Sequence, residues 1–427
     1  MIVALIGLSH KTAPLSLRER LALGADDLPL ALARVGSQTG NAVILSTCNR
    51  TELYFVAGQG QANQTAALEL LAVATGASPR RVQRHTYFRL HDDAIRHLHR
   101  VSAGLDSMIF GEVEILGQVR AALQASAEAG VCNSVLSRLF HSAIRVGRRV
   151  HAETAICRHD RSVASAAVAL AGRALGNLAG RRVLVLGAGE AGALTVRSLI
   201  KAGAKDVAVA NRTYRRAADV ARRLKATAVP LSRVPGLLPE TDIVISASGA
   251  MAPLVGPEAL TAAMEQRRGQ PMLLVDIAVP RNIDPAVRSI PGVHLYDIDD
   301  LRLMCPVSPE DRDKEMAKAE AIMEEEVQRF LAWWRSLRAV PTIVELRRRL
   351  EDARQRELAK TFRRFPHLDT RQRDGIDALT RALIKKVLHQ PLTHLKSRSD
   401  DQGYLAVTRE LFGLDEAAAG QAEEPAA

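Results

Sequence analysis

Cys48 stands in the run Ser46-Thr47-Cys48-Asn49-Arg50-Thr51-Glu52, directly after the apolar stretch Ala42 to Leu45. A strand ending there would present the thiol to a cleft among polar neighbours. The thiolate is the reactive form of cysteine, and a nearby cation such as Arg50 would lower its pKa and raise its population at neutral pH. On this chemistry alone Cys48 reads equally as a nucleophile and as a structural cysteine. Cys132, Cys157 and Cys305 read as small buried hydrophobes. There is no CxxC pair and no Cys/His cluster at zinc spacing, so neither a disulfide framework nor a metal site is expected.

A second locus is Gly187-Ala188-Gly189-Glu190-Ala191-Gly192, a G-x-G-x-x-G match. Its context gives it weight. The β-favouring residues Val183 to Leu186 lead in, a helical stretch Ala191 to Ala202 follows, and a second strand begins near Val207, the layout of a βαβ dinucleotide site. Gly187 would permit the tight turn, Gly189 the approach of a pyrophosphate to the backbone, and Gly192 close helix packing, with the helix N-terminus facing the phosphates. At the end of the second strand an NAD site would carry an acid for the ribose hydroxyl. This chain has Asn211-Arg212-Thr213 instead, with Arg215 and Arg216 behind. A guanidinium pairs with a 2′-phosphate, which favours NADPH, and Arg212 is the first choice for that contact.

These loci need scaffolds, and 427 residues suffice for about three domains. With 47% hydrophobic and 25% charged residues the composition is globular. No apolar run approaches the roughly 18 to 20 residues of a membrane helix, and the opening Met1 to Leu8 lacks a basic leader, so a cytoplasmic protein is expected. The net charge of +11 lies mostly in the first 300 residues and is compatible with RNA, DNA or a phosphorylated cofactor without choosing among them.

Three folded regions and a tail are expected. Residues 1–157 form an α/β region with strands near 2–8, 42–46 and 53–56; it turns all-helical from Asp92 to His151, with the Gly104–Gly111 loop between two helices. Residues 158–303 alternate short strands with helices, the pattern of a parallel Rossmann-type sheet. Residues 304–414 are helical. Ser308-Pro309-Glu310-Asp311 starts a rod that nothing breaks before Pro341, roughly 45 Å at about 1.5 Å per residue. Thr342 and Glu345 then supply a capping box for the next helix. Ile376, Leu379, Leu383, Val387 and Leu388 make an apolar face suited to dimerisation. The tail 415–427 is expected to be disordered.

The motifs taken together resemble the glutamyl-tRNA reductase family. The resemblance rests on Gly7-Leu8-Ser9-His10-Lys11-Thr12-Ala13-Pro14, the run 46–52, Gly104-Leu105-Asp106-Ser107 with Gly111-Glu112 and Ile115-Leu116-Gly117-Gln118, the GAGEAG loop, and Leu274-Val275-Asp276-Ile277-Ala278-Val279-Pro280-Arg281. It implies a catalytic domain, an NADP-binding Rossmann domain and a long helix leading to a dimerisation domain. It implies that Cys48 attacks the ester of glutamyl-tRNA(Glu), releases the tRNA and forms a thioester. NADPH then reduces the thioester to glutamate-1-semialdehyde, the first step towards 5-aminolevulinate and tetrapyrroles. Because hydride transfer needs contact of about 3 to 3.5 Å, hinges are expected between about 151 and 180 and near 300.

By the same resemblance Thr47, Asn49, Arg50, Ser107, Glu112 and Gln118 would line the glutamyl pocket, with Arg50 facing the substrate carboxylate. His97 would orient or protonate a reacting group, while His99 falls on another helix face. Family members often read Gly-Glu-Pro-Gln where this chain has Gly111-Glu112-Val113-Glu114, so Val113 and Glu114 are carried as pocket residues bearing an extra carboxylate. A homodimer and a complex with the aminomutase that consumes the product are implied as partners. The basic helix carrying Arg138, Arg145, Arg148 and Arg149 would touch tRNA phosphates or form a solvated face. Two other readings stand beside this one: an NADP-dependent dehydrogenase of the shikimate type, and a non-enzymatic NADP-sensing dimer.

Overall fold

The computed structural model describes residues 1–58, 62–156, 162–304, 309–399 and 401–415. Cys157, Cys305, Ser308 and the tail beyond Asp415 lie outside the described residues, as do parts of both expected hinges. The chain divides into two compact units, Met1–Val327 and Gln328–Ala427.

The first unit opens with a four-stranded antiparallel sheet of order β2-β3-β1-β4, built from β1 (Ile2–Ser9), β2 (Val43–Ser46), β3 (Arg50–Ala57) and β4 (Tyr87–Leu90). Side chains alternate along β1. Ala4, Ile6 and Leu8 face a cluster with Leu32, Val35, Phe55 and Leu71, which fixes the register of Ser9 opposite Arg50 and Ser46 opposite Thr51. β4 escapes a pattern search because it is a four-residue edge strand with an exposed end.

Helices Glu114–Glu128 and Ser134–Glu153 follow the His91–Ser102 helix. Four arginines on these helices reach an acidic stripe on the Pro309–Ser336 helix. Arg96 pairs with Glu324 at 3.0 Å, Arg100 with Glu320 at 2.7 Å, Arg145 with Glu326 at 2.9 Å and Arg149 with Glu325 at 2.9 Å. Arg145 and Arg149 therefore pair with this helix, Arg149 at 26% exposure, while Arg145 keeps 57% of its side chain exposed as a solvated face would.

The remainder of this unit is a six-stranded parallel sheet of order β10-β9-β8-β5-β6-β7. Its strands are β5 (Arg182–Leu186), β6 (Asp206–Asn211), β7 (Thr227–Pro230), β8 (Ile243–Ser246), β9 (Met272–Asp276) and β10 (Val293–Asp297). Alternating residues feed two cores: Val183, Val185, Ile245 and Val275 on one face, Leu184, Leu186, Val244 and Leu274 on the other. The chain order reverses between β5 and β8, the switch point at which doubly wound sheets bind ligands.

In the second unit, helices Val340–Arg364, Thr370–Ser397 and Gln402–Leu411 close around Ile343, Leu346, Leu388, Leu392 and Leu395. The expected capping box at Thr342 does not form. A single 3-10 turn, Leu337–Ala339, passes straight into the next helix, whose N-cap is Ala339, and Thr342 is buried inside it. Of the expected apolar face, Leu388 is taken into this unit's own core, whereas Leu379, Leu383 and Val387 stay 60%, 53% and 69% exposed. No helix among the described residues is long and apolar enough to cross a membrane.

Candidate active site

Cys48 occupies the tip of the β2–β3 hairpin, and the hairpin builds the turn from its own side chains. The Thr47 hydroxyl accepts from the backbone N–H groups of Asn49 and Arg50, both at 3.1 Å, and Thr47 N–H donates to Arg50 O at 2.8 Å. The thiol is half-buried at the edge of a cluster that joins Leu15, Met108 and Ile109 to Val185, Ile245, Val275 and Ile277 of the parallel sheet. Arg18 is buried alongside, and its Nη1 donates to the carbonyl of Cys48 at 2.9 Å.

Burial pushes the thiol well above its ordinary value, and Glu112 and Glu114 push the same way, while Arg18 pulls against them. Arg50 is not the activating cation. Its fork is filled by Glu52 at 2.8 Å and by Asp106, through the carbonyl at 2.5 Å and the carboxylate at 3.1 Å. The same commitment occupies both terminal nitrogens of the group expected to meet a substrate carboxylate. Only Nε of Arg50 is buried without a partner.

Glu52 is the centre of this network and carries no exposed surface. Its Oε1 accepts from Arg50, from His97 Nε2 at 2.7 Å and from the Tyr87 hydroxyl at 2.5 Å; Oε2 accepts from Tyr54 at 2.7 Å. Burial alone would raise this carboxyl, but His97, Arg50 and the hydroxyl bonds outweigh it and hold the group far below the usual range. His97 is thus fixed in orientation by a carboxylate, with Tyr87 tilted against it at 5.3 Å between centroids. His99 instead ties Ile95 O at 2.8 Å to Ser142 at 3.1 Å within the helix packing.

Among the remaining expected residues, Asn49 is buried with an unpartnered Oδ1. Glu112 is buried and is pushed up to about 8 by that burial and by Glu114, against the pull of Arg50 and Ser107. Gln118 is half-buried one turn along the helix that begins at Glu114. Val113 and Glu114 do not join the Thr47–Arg50 turn. They line a separate cleft of about 730 Å³ with Ser162, Ser165 and Arg197, so the extra carboxylate acts on Cys48 through its field.

The glycine loop leaves β5 as the pattern requires. Gly187 has φ 114°, and a Cβ there would lie 2.6 Å from Ala247 O; at Gly192 a Cβ would lie 2.1 Å from Gly187 O. At Gly189, the N-cap of the Glu190–Lys201 helix, a Cβ would meet nothing within 4 Å. That open cradle at a helix N-terminus fits a pyrophosphate. Beside it runs a cleft of about 740 Å³ lined by Gly187, Asn211, Arg212, Thr213, Arg216 and Ser248. These residues fit a dinucleotide with a 2′-phosphate, two guanidinium groups standing where an acid would otherwise be. Asn211 also braces the loop, accepting from Ala188 N–H at 3.4 Å and donating to Thr213 O at 3.0 Å. Ala188 and Ala191 are half-buried within the loop, and Glu190 is exposed on the first helical turn.

The glutamyl-tRNAGlu reductase N-terminal domain model matches residues 6–154, the shikimate/quinate 5-dehydrogenase model residues 169–304, and the glutamyl-tRNAGlu reductase dimerisation domain model residues 318–414. A glutamyl-tRNA reductase of Syntrophotalea carbinolica is 42% identical over 415 residues, covering 96% of this chain and 94% of its own. The chain belongs to the glutamyl-tRNA reductase family. A second relative of that name, from Rubrobacter xylanophilus, is 42% identical over 97% of both chains. A solved glutamyl-tRNA reductase structure from Methanopyrus kandleri is 31% identical, covers 97% of this chain and 99% of its own, and superposes with a TM-score of 0.49.

For a member of the glutamyl-tRNA reductase family, the site contains more than the sequence reading selected. Glu52, Tyr87, Asp106, His10 and Arg18 all stand in it. His10 is held down to about 3 by burial and by Arg50, so it is a neutral imidazole; its Nδ1 has no partner. Its signal was present, since His10 lies in the Gly7–Pro14 motif and Glu52 ends the Cys48 motif. Arg18 and Tyr87 lie in no motif and carried no signal. No group of His, Cys, Asp and Glu able to hold a metal occurs among the described residues.

Proposed function

We propose that this chain reduces glutamyl-tRNA(Glu) to glutamate-1-semialdehyde with NADPH, through a thioester on Cys48, the entry step to 5-aminolevulinate and tetrapyrroles. The observation that carries the reading is the placement of Cys48, at a hairpin tip packed against the same core cluster as Ala188 of the glycine loop. Bound NADPH supplies a hydride. The residues of the chain do the rest. The Cys48 thiolate attacks the ester carbonyl, the tRNA leaves with its ribose oxygen protonated, and a thioester remains. That carbonyl accepts hydride more readily than the oxygen ester it replaces. His97, oriented by Glu52, stands as the proton-handling group, and Asn49, Ser107, Glu112 and Gln118 as groups that hold the glutamyl moiety.

Gly187, Gly189 and Gly192 with Arg212 and Arg216 are assigned to the cofactor. The exposed stripe Leu379, Leu383 and Val387 recurs every fourth residue on one helix and is assigned to a homodimer. The product is an α-amino aldehyde, reactive enough that direct transfer to an aminomutase and a cytosolic setting belong to the same reading. The test is NADPH oxidation followed by absorbance with glutamyl-tRNA, free glutamate, uncharged tRNA and 3-dehydroshikimate in parallel. Oxidation with glutamyl-tRNA only, lost in Cys48→Ala with cofactor binding retained, supports the reading. Oxidation with the small ketone replaces it by the shikimate-type alternative.

A further inference from the structure

Arg18 and Glu19 are neighbours on the Leu15–Leu21 helix, and both cross to the parallel-sheet region. Arg18 holds the Cys48 carbonyl through Nη1 and pairs through Nη2 with Asp299, on the helix that follows β10. Glu19 grips Arg281 three ways: Oε1 accepts from the backbone N–H at 2.8 Å and from Nε at 2.7 Å, and Oε2 from Nη2 at 2.9 Å. The pair is mostly shielded, at 14% and 24% exposure, and its fork geometry is that of a strong charge-assisted contact.

The loop that presents Arg281 is itself rigid. Asp276, at the end of β9, accepts from the N–H groups of Ala278, Asn282 and Ile283 at 3.1, 2.8 and 2.7 Å. Asn282, next to Arg281, accepts from Ser248 N–H at 3.1 Å and donates to Ala250 O at 3.1 Å, and both of those residues line the cofactor cleft. Polar contacts on two pairs of adjacent residues, Arg18 with Glu19 and Arg281 with Asn282, therefore link the backbone of Cys48 to the wall of that cleft.

We propose that Arg18 and Glu19 are positioning residues: with Asp299 and Arg281 they clamp the cofactor cleft onto the nucleophile hairpin and set the register between Cys48 and the hydride donor. For its effect on turnover the proposal rests on the reductase reading; its geometry does not. The clamp serves one half-reaction. In thioester formation the thiolate bonds to the ester carbon, the C–O bond to tRNA breaks, and the ribose oxygen takes a proton. This uses groups of the N-terminal region. In the reductive half, hydride adds to the thioester carbon, the C–S bond breaks, and Cys48 leaves as thiolate. That step needs contact of about 3 to 3.5 Å across the clamp. With the clamp open, water attacks the thioester instead and yields free glutamate and the thiol.

The test uses the full chain carrying Glu19→Arg, Arg281→Glu, both together, and Glu19→Gln. The first readout needs neither tRNA nor cofactor: the rate at which iodoacetamide alkylates Cys48, assigned by peptide mass mapping. Each single reversal should raise it about tenfold by exposing the half-buried thiol, and the double swap should return it to within about twofold of the parent. The second readout is the product from glutamyl-tRNA and NADPH. Single variants should release tRNA at the parental rate but give glutamate in place of aldehyde. Folded single variants that alkylate at the parental rate, or a swap that fails to restore it, overturn the clamp. If the reversals do not fold, Glu19→Gln, which keeps shape and removes the charge, decides by the same rate. If alkylation follows the expected pattern while no form, the parent included, turns over glutamyl-tRNA, the reductase reading falls and the clamp stands.

Discussion

Glu52→Gln isolates the charge at the centre of the site while keeping its shape. In the parent, Oε1 meets Arg50, His97 and Tyr87 and Oε2 meets Tyr54, all inside the protein. The amide oxygen can replace Oε1, and the Tyr54 hydroxyl can rotate to accept from the new NH2. What is lost is the counter-charge of a fully buried arginine. Breaking such a pair costs about 3 to 5 kcal/mol, and Asp106, which still faces Arg50, keeps the loss near 3. Tyr54→Phe, which removes one bond to a charged acceptor, should cost about 1.5 kcal/mol. A chain of several domains does not unfold in two states, so the assay is native-state hydrogen exchange of the β3 amides. The pH dependence has a fixed sign. Because the folded carboxyl is held below its ordinary value, its stabilisation is complete above about pH 5 and fades progressively as the pH falls below the ordinary glutamate value and on through the depressed folded one. The gap between parent and variant should therefore be flat at neutral pH and shrink in acid. A loss under about 1 kcal/mol at neutral pH, or a gap that ignores acid, would show that Glu52 is not the keystone of the network.

Glu112 is an acid raised to about 8, so parental stability should fall between about pH 4.5 and 8 as the unfolded state ionises; Glu112→Gln should gain on the parent across that window in thermal melts. Glu114→Gln removes a carboxylate that raises the thiol and should speed Cys48 alkylation several-fold, up to about one decade; an unchanged rate would refute the field argument. Gly192→Ala forces a Cβ to within 2.1 Å of Gly187 O and should cost about 1 to 3 kcal/mol in native-state hydrogen exchange of the β5 amides, whereas Gly189→Val has room, should exchange as the parent does and should lose NADPH binding by fluorescence titration. Leu383→Glu lies on an exposed stripe, so it should keep the parental circular dichroism spectrum, give a monomer by light scattering and lose the concentration dependence of the parental melt.

The fold was legible where burial writes a period into the sequence. β5, β6, β8 and β9 lie inside the sheet and read as short apolar runs, β10 at its edge still shows Val293, Leu295 and Tyr296, and five such runs between helices already imply a parallel sheet. β4 and β7 were missed for the opposite reason: both are four-residue edge strands, half-exposed, with little apolar signal. The capping box at Thr342 failed because Thr and Glu three apart mark a helix start only where the preceding chain is not already helical. Here it was, and Pro341 fell in the first turn of the continuing helix, where its missing N–H has little cost.

The site was legible only as far as its motifs reach along the chain. The reading put Arg50 beside Cys48 because the two are neighbours in sequence, and on a strand that adjacency points the wrong way. Residues 48 and 50 are separated by the turn, and Arg50 is turned into the protein, where Glu52, two residues on and therefore on the same face of β3, receives it. The cation that does reach Cys48, Arg18, comes from a helix 30 residues earlier and is fixed there by Asp299, 281 residues away. No spacing rule encodes such a contact, since it exists only once the parallel sheet has packed against the hairpin. The same holds for the arginines at 145 and 149: their spacing gives a charged face, and only the packed structure supplies Glu325 and Glu326 opposite them. Charge near a reactive atom is thus a property of the tertiary fold, and a motif containing both a nucleophile and a cation is evidence for the first and not for their pairing.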